Sequence, residues 1–450
     1  MRFHGRSIAS AVLFAVLGSV LTGLGSAADW REFRGPTGDG RADAKNLPLK
    51  WSETENIVWK SALPGRGWSS PVFADGAIWL TAAIEEPLTA EQKAKLEAAK
   101  ASKNPPKGET PTVGAVSLRA IGLDPQSGKV VHDVELLRVE DPAPVHALNS
   151  FASPTPILDG DKLLCHFGEL GTACVDANTA QVLWKKQFPS KHSVGPGSSP
   201  VIHGDLMIVP CDGIDVQYVT AINKHSGETV WKVDRPPLTG TEPEMHKAFC
   251  TPLIVRTEGK PDQVVIPGPQ WVVSYAPLTG KTLWQASYGE GFSNVPRPVA
   301  GNGLVYICTG FGTPELWAIR TDGTGDVTKT HVVWKVKRGI PAMPSPLLDG
   351  EEIYFVSDNG VASCLNAKTG EPVWQHRLAG NYSSSPLLAD GKLYFCSREG
   401  KTTIVAPGRK YNELAVNTLD GQLMASPAVL GESLLLRSQN ALYRIQNSQP

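Results

Sequence analysis

Short apolar or alternating runs separated by turn signals make up the chain, most clearly between Ser345 and Trp374. In that stretch, Asp349-Gly350, Asn359-Gly360 and Thr369-Gly370 divide four such runs. Asp-Gly and Asn-Gly pairs tolerate the positive φ angles of tight two-residue hairpins. The pattern therefore predicts a four-stranded meander, which cannot bury both of its faces without neighbours of the same kind.

Repetition of this unit supplies the neighbours. A proline that opens a unit recurs at eight positions: Pro71, Pro154, Pro200, Pro252, Pro298, Pro346, Pro386 and Pro427. The intervals run from 40 to 52 residues after a first interval of 83 residues. The long first interval indicates an insertion in the first unit, which we place at residues 84–116.

The two ends of the chain complement each other. The last unit, after Ser426-Pro427, has only three strand-like runs, whereas residues 56–60 near the N-terminus form a run without a unit. Pairing this run with the last unit closes a ring and removes open sheet edges. The sequence therefore predicts an all-β, eight-bladed β-propeller of four-stranded blades, closed by an N-terminal strand. A β-sandwich with chance spacing would leave eight in-phase units unexplained.

Length and charge fit a single exported domain. The 450 residues carry a net charge of −1, so the basic excess of a nucleic-acid-binding protein is missing and no nucleic-acid partner is expected. Residues 1–28 have the charged start, apolar middle and small residues of a signal peptide with cleavage near Ala28. We expect residues 29–450 to form one secreted or periplasmic propeller domain without a membrane span; an uncleaved anchor is the alternative.

Two segments outside the repeat have their own predictions. Thr89 to Gln92 matches a capping box, and residues 90–101 are rich in helix-forming residues, so a short polar helix is expected in the insertion. This insertion is either a solvated excursion or a lid or partner contact. In the N-terminal extension, Trp30 and Phe33 are predicted to clip onto the rim of the propeller.

Seven cysteines occur in the chain, and an exported protein can form disulfides. A turn that pairs Phe167 with Thr172 would place Cys165 opposite Cys174, so we predict a possible bridge between these two. The remaining cysteines fall mainly at equivalent strand positions, where small apolar side chains pack between blades. At most one disulfide is therefore expected.

The connections between one unit and the next are the chemically varied parts of the chain, and they should open toward the central channel. Aromatic and polar groups gathered at a funnel mouth are what a ligand site needs, although channel-lining loops also contain such residues without a ligand. The candidate ligand-binding residues are Arg66, Trp68, His146, Asn149, His246, Lys247, Asn294, Arg297, Asn381 and Tyr382.

A longer motif, Asp/Asn-x-x-Thr/Ser-Gly-x-x-x-Trp, recurs within the units. Full copies span residues 366–374 and 223–231, and partial copies begin at Asp176 and Asp124. The motif resembles the repeat of the pyrroloquinoline-quinone-like (PQQ-like) β-propellers, a superfamily that includes quinoprotein alcohol dehydrogenases and the outer-membrane assembly factor BamB. The resemblance implies that tryptophans dock neighbouring blades, namely Trp59, Trp184, Trp231, Trp284, Trp334 and Trp374.

The resemblance leaves the function open. The quinoprotein dehydrogenases hold the quinone between a Trp and a disulfide of adjacent cysteines, above a Ca²⁺ ion. This chain has no adjacent cysteine pair and no Cys-x-x-Cys-His haem motif, and we find no convincing Ca²⁺ ligand set. We therefore assign no catalytic or metal-binding residue and expect no cofactor.

Three hypotheses remain. The first is a non-enzymatic binding scaffold for a protein or cell-envelope partner. The alternative is a quinoprotein-like oxidoreductase that binds pyrroloquinoline quinone with Ca²⁺ in the central funnel. A third reading is a saccharide or other small-molecule binder that uses Trp68, Phe292 and Tyr382.

Overall fold

The computed structural model describes Met1 and residues 29–74, 76–101 and 112–448. Apart from Met1, the predicted signal peptide at residues 1–28 lies outside the described residues. In the described part of the chain, no helix is long and apolar enough to cross a membrane.

Eight four-stranded antiparallel blades form the all-β propeller that the sequence predicts. From the innermost to the outermost strand, blades 1 to 4 consist of Val72–Phe73, Ile78–Pro87, Val113–Leu123 and Val130–Glu140; Ile157–Asp159, Lys162–His166, Thr172–Asp176 and Val182–Lys186; Val201–His203, Leu206–Asp212, Gln217–Asn223 and Thr229–Asp234; and Leu253–Val255, Gln263–Pro267, Trp271–Tyr275 and Thr282–Ser287.

Blades 5 to 7 consist of Val299–Gly301, Leu304–Cys308, Leu316–Arg320 and Val332–Val336; Leu347–Asp349, Glu352–Val356, Val361–Asn366 and Pro372–Arg377; and Leu387–Ala389, Lys392–Cys396, Lys401–Val405 and Glu413–Thr418. Blade 8 contains Ala428–Leu430, Ser433–Arg437 and Ala441–Ile445. Its outer strand is Ile57–Ala62, which pairs antiparallel with Ala441–Ile445. The predicted closure by an N-terminal strand is thus confirmed.

The inner strands are joined by a ring of hydrogen bonds around the central channel. Every blade begins with a residue followed by proline, and these eight ring residues are Ser70, Thr155, Ser199, Thr251, Arg297, Ser345, Ser385 and Ser426. At six of the eight junctions, the backbone N–H of one ring residue donates to the hydroxyl of the next at 2.9–3.0 Å. Blade 2 begins at Thr155-Pro156, so the placement of its start at Pro154 was wrong by two residues.

Tryptophans join the outer parts of neighbouring blades. Five of them donate the indole N–H to a backbone carbonyl of the next blade at 2.9–3.1 Å, namely Trp59, Trp184, Trp231, Trp334 and Trp374. The turn glycine of the next blade lies under the ring: a Cβ added to Gly370, which has a φ of +75°, would lie 2.8 Å from Trp334. Glycine at this position therefore serves both the turn and the close approach of the indole.

Trp284 departs from this arrangement. Its indole N–H donates to Gln263 Oε1 of its own blade at 2.8 Å, and the ring is fully buried. Beside it, the short strand Gly325–Asp326 pairs in parallel with the outer strand of blade 4. An extra strand thus covers the edge here.

The N-terminal extension crosses the channel on the face opposite the connections between blades. Trp30 bridges to Phe73 of blade 1, and the carbonyl of Arg31 accepts from Leu158 of blade 2. The strand Arg41–Ala42 then pairs in parallel with blade 7. We call residues 30–42 the strap. The expectation that Phe33 clips onto the rim was wrong, because this side chain lines the central cavity instead.

The structure contains one described α-helix, Ala90–Lys100, in the first-blade insertion. Thr89 and Gln92 form the predicted capping box, with Gln92 N–H donating to Thr89 Oγ1 at 3.2 Å and Thr89 N–H donating to Gln92 Oε1 at 2.8 Å. No helix side chain is buried. Two short 3-10 turns, Gly168–Leu170 and Pro243–His246, complete the helical elements of the described chain.

The predicted bridge between Cys165 and Cys174 was wrong, and both are free thiols. The 3-10 turn shifts the pairing by one residue, so Cys165 lies opposite Ala173 and Cys174 lies opposite Leu164. A shift of one residue places two side chains on opposite faces of a sheet. The two thiols accordingly pack in different interblade clusters.

Removing a docking indole should destabilise the propeller. Trp231 is buried and donates to Pro277 O at 2.9 Å, so Trp231→Ala is expected to lower the unfolding free energy by about 3–5 kcal/mol. Trp231→Phe, which keeps an aromatic ring but loses the N–H, should cost less. Denaturant titration measures both, and a loss below about 1 kcal/mol for the alanine variant would contradict the docking role.

Candidate functional site

A cavity of about 710 Å³ occupies the centre of the propeller. It opens on the face that carries the connections between blades and the hairpins between second and third strands. We call it the funnel. Its floor contains Phe33 from the strap and the seven hydroxyl-bearing ring residues. Ligands can therefore be received from one face, because the strap crosses the other.

Apolar side chains make up most of the funnel wall. Trp68 comes from the connection into blade 1, Phe249 from the connection into blade 4, and Phe292 from the connection into blade 5. Phe311 belongs to a second-to-third-strand hairpin, and Met343 lies in the connection into blade 6. The aromatic groups thus come from blades 1, 4 and 5, with Phe292 and Phe311 paired in blade 5, and they face a common space.

Four of the candidate ligand-binding residues line the funnel: Trp68, His146, Asn149 and Lys247. Arg66 lies beside it. Its guanidinium is 5.5 Å from the Trp68 ring and donates to Asn149 O at 2.9 Å. Arg66 therefore holds the loop that carries His146 and Asn149 and packs against Trp68.

Two other candidates serve the framework. Arg297 occupies the ring position of blade 5, donates to Pro252 O at 3.0 Å and to Phe33 O at 2.6 Å, and is 2% exposed. Its guanidinium therefore fixes the strap. Asn294 is fully buried and donates to Tyr288 Oη at 3.0 Å.

The last three candidates also lie outside the funnel lining. His246 is half-buried in the 3-10 turn beside Lys247. Asn381 is exposed and binds Glu399, with 3.0 Å between Nδ2 and Oε1. Tyr382 is fully buried in the core between blades 6 and 7. The sequence alone could not distinguish these three residues from those that line the funnel, because neighbouring residues of one connection point in different directions.

Charged side chains line the funnel in two separate places. Lys247 pairs with Glu244 and donates to Ser193 Oγ at 3.0 Å. In blade 7, the Nε of Arg398 donates to Ser383 Oγ at 2.8 Å, close to Asp358 of blade 6. Burial raises the pKa of Asp358, although this carboxylate also accepts the N–H of Ala342.

Arg398 and Asp358 were missed by the sequence analysis. Both lie in second-to-third-strand hairpins, in the sequences Asp358-Asn-Gly and Arg398-Glu-Gly. In an antiparallel four-stranded blade, these hairpins emerge on the same face as the connections between blades. The positions of the turns could therefore have identified them as funnel residues.

The donor set of the funnel does not fit a Ca²⁺–quinone centre. In the described part of the chain, no group of three or more His, Cys, Asp or Glu side chains is arranged to hold a metal ion. The funnel carboxylates Glu244 and Asp358 lie in two separate places, and each has a partner within the protein. No adjacent cysteine pair supports a stacked quinone.

Two buried histidines lie in the wall between blades 2 and 3. Burial lowers the pKa of His166 to about 3 and that of His192 to about 4. The His192 ring packs against Phe249, a funnel residue, with 5.7 Å between ring centroids. Charging His192 would therefore disturb the wall.

Comparison with known families agrees with the repeat pattern. The family model described as outer membrane protein assembly factor BamB matches residues 42–233 and 324–424, and the chain belongs to this family. The outer membrane protein assembly factor BamB of Legionella pneumophila (strain Paris) is 26% identical over 174 residues, which cover 36% of this chain and 42% of that protein. This alignment spans less than half the length of the relative.

Solved structures share the fold. BamB from Moraxella catarrhalis is 14% identical with a TM-score of 0.56, covering 87% of this chain and 99% of that one. A europium-containing methanol dehydrogenase is 10% identical with a TM-score of 0.64, covering 92% and 90%. The quinohemoprotein alcohol dehydrogenase from Comamonas testosteroni is 9% identical with a TM-score of 0.65, covering 94% and 81%. The PQQ-like resemblance is thus confirmed, and at these identities it concerns the fold alone.

The buried histidines should make the protein less stable in mild acid. The unfolded chain protonates His192 near pH 6.5, whereas the folded protein resists protonation until about pH 4. The unfolded state thus binds more protons in this window, so stability is lost as the pH falls from about 6.5 toward 4.

Denaturant titration from pH 7 to pH 4 tests this expectation. His192→Gln should flatten the dependence of the unfolding free energy on pH by up to ~1.4 kcal/mol per pH unit. Equal slopes for wild type and His192→Gln would show that His192 is not kept neutral by the fold.

Proposed function

We propose that this member of the BamB family is an exported, non-enzymatic scaffold that binds a protein partner through the open face of the funnel. The observation that carries the proposal is the apolar, aromatic-walled cavity with a single open face. Concave, mainly apolar sites with a few polar groups are where ligands are usually held.

The composition of the wall suits an extended segment of a partner protein. Trp68, Phe249 and Phe311 offer rigid aromatic contacts of the kind that anchor interfaces. Met343 and Met424 have flexible thioether side chains that adapt to different apolar groups. Polar side chains at the mouth can then bond the backbone of the segment.

The place of action is part of the proposal. The predicted signal peptide supports export, and the relative from Legionella pneumophila is named as an outer membrane protein assembly factor. We propose a partner in the cell envelope on these two grounds.

A quinone cofactor with Ca²⁺ is the second candidate. Trp68 presents an aromatic side chain to the funnel, as stacking would require. The separated, partnered carboxylates favour the scaffold instead. The hypothesis of a saccharide binder required three aromatic residues in the funnel, and one of them, Tyr382, is buried between blades instead.

Peptide binding to the mature protein tests the scaffold. A fluorescein-labelled twelve-residue peptide with alternating Phe and Ser should bind at least about tenfold more tightly than an all-Ser peptide, by fluorescence anisotropy. Phe311→Asp, at a 40%-exposed funnel residue, should abolish the difference. Leu278→Asp is the matched control, because this 64%-exposed residue does not line the funnel.

Two results would count against the scaffold. One is equal affinity of the two peptides, or affinity that Phe311→Asp leaves unchanged. The other comes from calorimetry with pyrroloquinoline quinone and Ca²⁺: tight binding together with dye-coupled alcohol oxidation would replace the scaffold with the oxidoreductase.

A further inference from the structure

The hydroxyl groups of the ring have unused donor capacity. Six of the seven ring hydroxyls accept a backbone N–H from the preceding blade, and only Ser70 Oγ accepts none. None of the seven donates its own proton to an acceptor among the described residues. All seven line the funnel, so its floor is a circle of O–H donors beneath apolar walls.

Two donors on the blade 1 side have no partner at all among the described residues. These are Ser70 Oγ and Trp68 Nε1, and both residues are more than nine-tenths buried while lining the funnel. Both residues belong to the connection into blade 1 and line the same cavity, so both donors lie on the blade 1 side of the floor. A buried donor without a partner is unfavourable, and an acceptor placed there would remove this cost.

The strap beneath the floor carries both signs of charge. Glu32 pairs with Arg297, whereas Arg34 has no paired carboxylate among the described residues. Arg34 donates to the backbone carbonyl of Asp39. Arg34 of the strap is 2% exposed, and its Nε and Nη1 have no partner in the described chain. A Cβ added to Gly40 would lie 2.5 Å from Arg34 Nη2 and 3.0 Å from Pro386 O, so the guanidinium lies against blade 7 just after the ring residue Ser385. Burial without a carboxylate bonded to it lowers the pKa of Arg34 to about 9.

We propose that the floor of the funnel is an oxyanion-binding site. Trp68 Nε1, Ser70 Oγ and neighbouring ring hydroxyls donate to a carboxylate or phosphate group, and Arg34 favours its negative charge from below. Eight blades make the ring wide, so one small group is held on the blade 1 side and does not touch every hydroxyl. The site deepens the proposed function, because it adds a polar end to the apolar funnel.

The same chemistry admits two sources of the oxyanion: a free small anion, or the head group of a ligand whose apolar part lies against the wall. Calorimetry on the mature protein separates them with three probes: inorganic phosphate, decanoate and decanol. Binding of phosphate alone would assign a free anion. Decanoate that binds at least about tenfold more tightly than decanol, without phosphate binding, would assign a head group.

Ser70→Ala is the most informative variant. Ser70 Oγ supports no other described group, so this change should leave the unfolding free energy near that of wild type. It should weaken the bound oxyanion about five- to tenfold and leave decanol unchanged. Trp68→Phe, which removes the unpartnered N–H, should act in the same direction. Ser384→Ala is the matched control, because Ser384 is equally buried but does not line the funnel.

The proposal is overturned if decanol binds as tightly as decanoate and phosphate does not bind. It is also overturned if Ser70→Ala and Trp68→Phe both leave the oxyanion affinity unchanged. Failure of the oxyanion site can be told apart from failure of the proposed scaffold. The Phe-containing peptide can be made as a C-terminal amide, which has no terminal carboxylate. If this peptide still binds, and Phe311→Asp weakens its binding, the scaffold is supported even when the results above exclude the oxyanion site.

Discussion

The propeller depends on the junction between one blade and the next, because a four-stranded blade exposes two apolar faces. At four of the eight junctions, hydrogen bonds join the neighbouring blades both near the axis and near the rim. Near the axis, a backbone N–H donates to the hydroxyl of the next ring residue, and near the rim an indole N–H donates to the next blade's turn. Between these polar contacts lie the apolar interblade clusters. The polar bonds fix the register, and the apolar contacts supply most of the stabilisation.

The ring of hydrogen bonds between backbone N–H groups and ring hydroxyls is interrupted at two junctions, and at each of them an arginine side chain makes hydrogen bonds instead. Between blades 4 and 5 the ring residue is Arg297, which bonds Pro252 and the strap. Between blades 8 and 1, Arg437 donates to Ser69 O at 2.8 Å and to Thr81 O at 3.0 Å. A long side chain thus spans a junction that a short hydroxyl does not. The second interruption is also where the two ends of the chain meet, and it leaves Ser70 unpartnered.

The strap gives the propeller two different faces. It crosses the channel between blades 1 and 7, so the funnel opens on the other face only. The same segment places Phe33 in the floor and Arg34 beneath it. Part of the funnel is therefore built by residues that lie far from the blade connections in sequence, and the segment that closes one face of the channel also forms part of the funnel floor.

The sequence by itself determined the blades, their number and their closure, because hairpin pairs, the blade-opening prolines and the late tryptophans act locally and repeat in phase. It also determined which loops could form a site, and Trp68, His146, Asn149 and Lys247 do line the funnel. Only the tertiary structure decided which way neighbouring side chains point: it buried Tyr382 and Asn294, turned Arg297 toward the strap, and brought in Arg398 and Asp358 from other blades. The physical reason is that strand periodicity is a property of adjacent residues. The contents of a central channel depend instead on how eight separate segments converge, and a one-residue shift, as at Cys165, is enough to move a side chain to the opposite face.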